Sequence, residues 1–219
     1  MKLLACTLAG IMGMGLGQSA LAHTRLNTPT ATEGERSINH IVIGHNCGED
    51  TRVIGTSVVF PDGVDSTILK GGEPHSGPLL DFLTNYGNNA QLILDRSFDA
   101  LDEKIVNGNV VGFWIGGGAG LPSNLTAAIP FRLTAASIEP TSCAKSVKVY
   151  VSIADICEIT SVSGFKFSNH GVGAGTVGLW THNNLGTPFD RVSENDDGPA
   201  SFTINRDLTK NPLPSSCGE

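Results

Sequence analysis

The stretch Ser146-Val147-Lys148-Val149-Tyr150-Val151-Ser152-Ile153 decides the fold class of this chain. Val147, Val149, Val151 and Ile153 take every second position, with Lys148, Tyr150 and Ser152 between them. A period of two puts the aliphatic set on one face of an extended strand, and β-branched side chains suit that conformation. Six further runs read the same way, at 39–44, 52–60, 109–115, 127–134, 176–182 and 201–205. Turn residues separate the runs: Pro61-Asp62-Gly63, Asn107-Gly108, Gly116-Gly117-Gly118 and Asp197-Gly198-Pro199. Only residues 77–105 carry helical spacing, through Leu79, Leu80, Phe82 and Leu83 and then Leu92, Leu94, Phe98 and Leu101, which predicts one or two short helices. Many short strands joined by turns predict a mainly β, single domain, an antiparallel β-sandwich or barrel-like fold. No internal repeat or composition break marks a second domain.

The start of the chain reads differently. Lys2, an apolar run over 3–17 and the small residues around Ala20-Leu21-Ala22 predict a signal peptide over 1–22, cleaved after Ala22, with the β domain over 23–219. Leu3-Leu4-Ala5-Cys6 resembles a lipoprotein box, but it precedes the apolar run instead of following it, so lipidation is rejected. No segment approaches the roughly 20 apolar residues a spanning helix needs, so no transmembrane segment is expected. The expected location is secreted, periplasmic or on the outer cell surface, where the protein would associate through a partner. The formal charge of −7, −8 once Lys2 is removed, argues against nucleic acid, whose binding depends on Lys and Arg.

Five cysteines are present, and Cys6 leaves with the signal. Cys47, Cys143, Cys157 and Cys217 remain, an even number that in an oxidising compartment predicts two disulfides with three alternative connectivities. A four-thiolate zinc site would need close Cys-x-x-Cys pairs, and none occurs. The tail from 207 to 219, with two prolines and Cys217, is expected to be extended and clipped down by a disulfide.

Several chemistries lack their signatures. Gly116–Gly120 and Gly171–Gly175 have neither the strand–glycine–helix pattern of a dinucleotide site nor the Lys-Ser/Thr of a phosphate loop. No Gly-x-Ser-x-Gly elbow supports a serine hydrolase. The acidic loop Ser193-Glu194-Asn195-Asp196-Asp197-Gly198 resembles the front of a calcium loop, but Ile204 stands where the twelfth-position carboxylate belongs. Calcium is therefore a secondary expectation, behind a solvated turn. Asn124-Leu125-Thr126 matches a glycosylation sequon, which matters only in a glycosylating host.

Histidine placement says more. In the run 176–182, Val177 and Leu179 are expected to face the core, which places Trp180 and His182 together on the opposite face. His45 follows the strand ending at Ile43 and stands two residues before Cys47, whereas His40 faces the other way in that strand. Neutral imidazoles converging on one face suit copper or zinc. His23, at the new N-terminus, would offer an α-amino group beside an imidazole, a second copper-binding arrangement.

The segments Gly44-His45-Asn46-Cys47, Ser57-Val58-Val59-Phe60-Pro61-Asp62-Gly63, Gly112-Phe113-Trp114, Ile153-Ala154-Asp155-Ile156-Cys157, Leu179-Trp180-Thr181-His182 and Asn211-Pro212-Leu213-Pro214 resemble the copper-repressible secreted and surface copper-binding proteins of methanotrophs, the MopE and CorA type. The resemblance covers most of residues 23–219 in scattered short pieces. It implies a mostly β protein holding one copper, largely Cu(I), through two histidines and the amino nitrogen of a kynurenine made from tryptophan. Trp180-Thr181-His182 matches the family's Trp-x-His element. A competing alignment places the modified residue at Trp114, where Gly116 stands in place of the second histidine and His45 or His75 would serve instead.

The function expected first is copper acquisition or storage without catalytic turnover. His182, His45, Trp180 and Trp114 are its metal-site residues, and His23 and His75 are additional ones. The alternatives are an exported copper chaperone or oxidase using His23, and a metal-free surface or adhesion domain.

Overall fold

The computed structural model describes residues 24–44, 50–64, 66–153, 174–180 and 200–218; of Trp180 it describes the backbone alone. Strands dominate these residues. In chain order they are β1 (Arg25–Leu26), β2 (Thr30–Thr32), β3 (Ser37–Ile43), β4 (Val53–Val59), β5 (Thr67–Lys70), β6 (Glu73–His75), β7 (Leu83–Thr84) and β8 (Gln91–Leu92). There follow β9 (Ala100–Val106), β10 (Asn109–Leu121), β11 (Ala127–Leu133), β12 (Ser137–Ile138), β13 (Ser146–Tyr150), β14 (Ser152–Ile153), β15 (Thr176–Trp180) and β16 (Ser201–Asn205). The seven runs expected from sequence are all strands at those places.

Three sheets carry the fold, ordered β1-β3-β11-β8, β14-β4-β10-β9 and β2-β16-β13-β15-β5-β6, beside a two-stranded ribbon of β7 and β12. Most ladders are antiparallel; β13–β15 and β16–β2 are parallel. Most of the buried apolar side chains form one contiguous cluster across the sheets. Phe131 of β11 lies 5.8 Å from Phe113 of β10 and 6.0 Å from Phe60 at the end of β4, so the aromatic rings join two sheets face to face. This is a β-sandwich, as the alternation implied.

The deciding stretch does more than expected. It is not one strand but two: β13 lies in the six-stranded sheet and β14 pairs with β4 in another. Val151 is the crossing point, and its amide leaves both ladders to donate to the Ala200 carbonyl at 2.9 Å. The face opposite the aliphatic set is also dry at Tyr150 and Ser152, both 2% exposed. Lys148 stays half-buried, with its ammonium 5.2 Å from the centre of the Tyr150 ring.

The segment 77–105 also differs from its helical reading. It contains one 3-10 turn, Leu79–Asp81, and then β7, β8 and β9. Pro78 opens the turn, and Asn85 and Asn88 take left-handed backbone angles (φ 55° and 49°), which interrupts any continuing helix. Stretches this short between breaks cannot repay helix nucleation. Leu94 and Leu101, assigned to one apolar stripe, are 77% and 50% exposed.

Asn107-Gly108 is the two-residue hairpin its chemistry predicts: both residues have positive φ (51° and 79°), and Val106 pairs with Asn109. Between β4 and β10 the backbones approach closely, since a Cβ on Gly55 would sit 2.8 Å from the Ile115 carbonyl oxygen and 3.0 Å from the Gly116 Cα. Both obstacles are backbone. Gly55→Ala is thus expected to lower stability by about 1–3 kcal/mol, read as a fall in urea midpoint at unchanged slope.

Candidate functional site

The six-stranded sheet positions the residues of greatest chemical interest. Val177 and Leu179 of β15 are buried in the core, 3% and 0% exposed, as expected, and Gly178 between them is buried too. Its ladders align Val149, Leu179, Ile68 and His75 in one row across β13, β15, β5 and β6. Trp180 sits in the next row, paired with Tyr150 and Thr67. Burial pushes the Tyr150 phenol up to about 12, so it stays protonated at neutral pH.

His75 therefore stands at the edge of the core-facing row. Its Nε2 lies 2.9 Å from Asp81 Oδ2, and its ring packs edge-on against Phe82 at 4.6 Å between centroids. Gly77 makes this closure feasible: a Cβ there would collide with Asp81 Oδ2 and approach His75 Nε2 to 2.5 Å. A carboxylate on one ring nitrogen fixes the orientation of an imidazole and leaves the other nitrogen as its remaining polar atom.

A cavity of about 600 Å3 opens beside this pair. Its walls come from the β5–β6 hairpin (Lys70, His75), the 3-10 turn (Asp81, Phe82), the loop around Cys143 and the start of β15 (Thr176, Val177). The β5–β6 turn is Gly71-Gly72, both at positive φ (61° and 89°), which places Lys70 at the cavity rim. On the opposite wall the Gly175 carbonyl accepts from the Lys145 and Ser146 amides at 2.6 and 3.2 Å.

The Cys143 loop is fixed from behind. Cys143 is bonded to Cys217 with a Cα–Cα distance of 5.4 Å, so the tail is clipped as its composition implied. Arg206, 6% exposed, donates from Nη1 to the Ser142 and Ala144 carbonyls at 2.6 and 3.2 Å. The same guanidinium reaches the Pro140, Asn211 and Pro212 carbonyls and Asn211 Oδ1. Asn211 Nδ2 in turn donates to both Glu33 oxygens and to the Ile138 carbonyl.

The other predicted site residues are separated from this place or lie beyond the described residues. Trp114, half-buried on β10, pairs with Ser57 and Asp102 and lays its benzo ring over Gly116, where a Cβ would meet Cζ2 at 2.5 Å. His23, His45, His182, Cys47, Cys157 and the acidic loop 193–198 lie outside the described residues. Among the described residues no group of three or more His, Cys, Asp or Glu side chains gathers as a metal site. No helix among them is long and apolar enough to cross a membrane.

Sequence reading named His75 but missed its partner Asp81 and the neighbouring Lys70. Gly71-Gly72 was the available signal for the hairpin that carries Lys70 and His75, because a Gly-Gly pair suits a two-residue turn. A histidine and an aspartate six residues apart, with Pro78 between them, match no periodicity.

The fold and its sheets define the protein as a β-sandwich. No protein-family model matches the chain. No curated protein matches it either. It is similar to a solved structure from Nocardia farcinica, described as an uncharacterized protein with an immunoglobulin-like fold, at 13% identity and a TM-score of 0.35. That match covers 84% of this chain and 98% of the other. The assignment of the sandwich rests on the sheets described above.

Proposed function

We propose that the protein is an exported copper-binding protein for copper acquisition or storage, of the type its sequence resembles, with no catalytic turnover. His182 and His45 supply imidazole nitrogen, and Trp180 or Trp114 is the residue converted to kynurenine. The reading is supported most directly by the phase of β15. Val177 and Leu179 are buried, which is the orientation that would put Trp180 and His182 together on the opposite face. Dioxygen would open the indole and hydrolysis of the N-formyl group would release formate, leaving an aromatic amine that can donate its lone pair where an intact indole nitrogen is a poor ligand. The Cys143–Cys217 disulfide suits an oxidising compartment outside the cytoplasm.

The test is native intact-mass analysis of the protein recovered from its own cells, before and after copper loading. The expected result is one copper per chain and one tryptophan peptide carrying the kynurenine mass. His182→Ala is expected to abolish stoichiometric loading. Extending the N-terminus by one residue is expected to leave it unchanged, because His23 is not a ligand in this reading. Absence of copper at stoichiometric loading, with both tryptophans unmodified, overturns the proposal.

A further inference from the structure

We propose that the cavity beside His75 and Asp81 binds a small organic acid, a molecule with an apolar body and one anionic group held by Lys70. This site is independent of the copper reading. Its volume of about 600 Å3 lies in the range of small-molecule sites, which are typically about 300–1,000 Å3. Phe82, Ala144 and Val177 give it an apolar lining, each under one-tenth exposed.

Charge selects the ligand class. The ionisable side chains on the walls are Lys70, His75 and Asp81. Asp81 is engaged by His75 at 2.9 Å, whereas the ion pairs among the described residues do not include Lys70. Glu73 stands opposite Lys70 in the β5–β6 register without forming an ion pair with it, so Lys70 is the cationic lining residue left for a ligand to complement. A cation is disfavoured by the same positive charge on the wall.

Rigidity favours binding as well. The Ser142 and Ala144 carbonyls are tied to Arg206, Cys143 is tied to Cys217, and the Gly175 carbonyl is tied to the 145–146 backbone. Walls ordered before the ligand arrives spare it the entropy of ordering them. Binding at this place thus draws on a preformed shape with one directional charge.

The experiment titrates the full chain with anilinonaphthalene sulfonate, an aromatic anion, and in parallel with the uncharged phenylnaphthylamine, following fluorescence. One sulfonate per chain is expected at saturation. Lys70→Met should weaken the sulfonate about fivefold, the size of an exposed ion pair at its upper end, and leave the uncharged probe unchanged. Lys70→Arg should retain sulfonate affinity. Ala174→Trp, at an exposed lining residue, should block both probes while the melting curve stays that of the parent. Sulfonate affinity unmoved by Lys70→Met, or either probe still binding with equal affinity to Ala174→Trp, overturns the proposal.

Discussion

Replacing Arg206 by Met is expected to lower the unfolding free energy by about 3–5 kcal/mol, among the largest effects of any single substitution in this protein. The reason is the number of acceptors that one side chain satisfies. Four backbone carbonyls, those of Pro140, Ser142, Ala144 and Pro212, receive its Nη protons, and the Asn211 carbonyl receives its Nε proton. The Ser142 and Ala144 bonds are buried, and each buried acceptor left unpaired costs about 1–3 kcal/mol. Met fills much of the volume but donates nothing. Arg206→Lys should recover less than half of the loss, because an ammonium is a point donor and cannot span carbonyls on both sides of a planar fork. Urea unfolding of the three proteins checks the order. A midpoint for Arg206→Met within experimental error of the parent would contradict the network.

The same network explains how far sequence could be read. Strand positions were legible because alternation is a local property, and hairpins were legible where Asn107-Gly108 forced left-handed turns. The exchange of sheets at Val151 was not. Alternation continues through Val151 without a break, and only the distant amide acceptor at Ala200 reveals that β13 and β14 belong to different sheets. The segment 77–105 misled for the opposite reason: leucines spaced like a helix were distributed among a 3-10 turn and three strands once Pro78, Asn85 and Asn88 had set the backbone.

The site follows the same division. His75 could be named from residue type, but Asp81 reaches it through a turn, and Arg206 finds three of its acceptors 62 to 66 residues earlier in the chain. Polar contacts of that range leave no periodic trace. The four cysteines allowed three connectivities, and spacing alone did not identify Cys143 and Cys217 as partners. The cross-link expected for the tail is present, but turns break its extended run, and the Arg206 and Glu33 contacts that also hold Asn211 left no mark in composition.

Removing that cross-link is the second large effect. The double substitution Cys143→Ser with Cys217→Ser is expected to lower stability by about 2–4 kcal/mol. The bond closes a separation of 74 residues, and the loop-entropy relation gives about 4.5 kcal/mol as the full constraint on the unfolded chain. The folded chain returns part of this. Without the bond, residues after Pro212 gain freedom, while Arg206 still holds Asn211 and Pro212 in place. Amide exchange should therefore quicken at Cys217, whose N–H donates to the Pro214 carbonyl, and remain slow at Asn211, whose N–H donates to Asp207. Combining the double cysteine variant with Arg206→Met then separates the two mechanisms. Near-additive losses are expected, since the disulfide acts mainly on the unfolded state and Arg206 on the folded one. Losses well below the sum would instead mean that both act by holding the same loop around Cys143, and that the cross-link stabilises the native tail more than it restricts the unfolded chain.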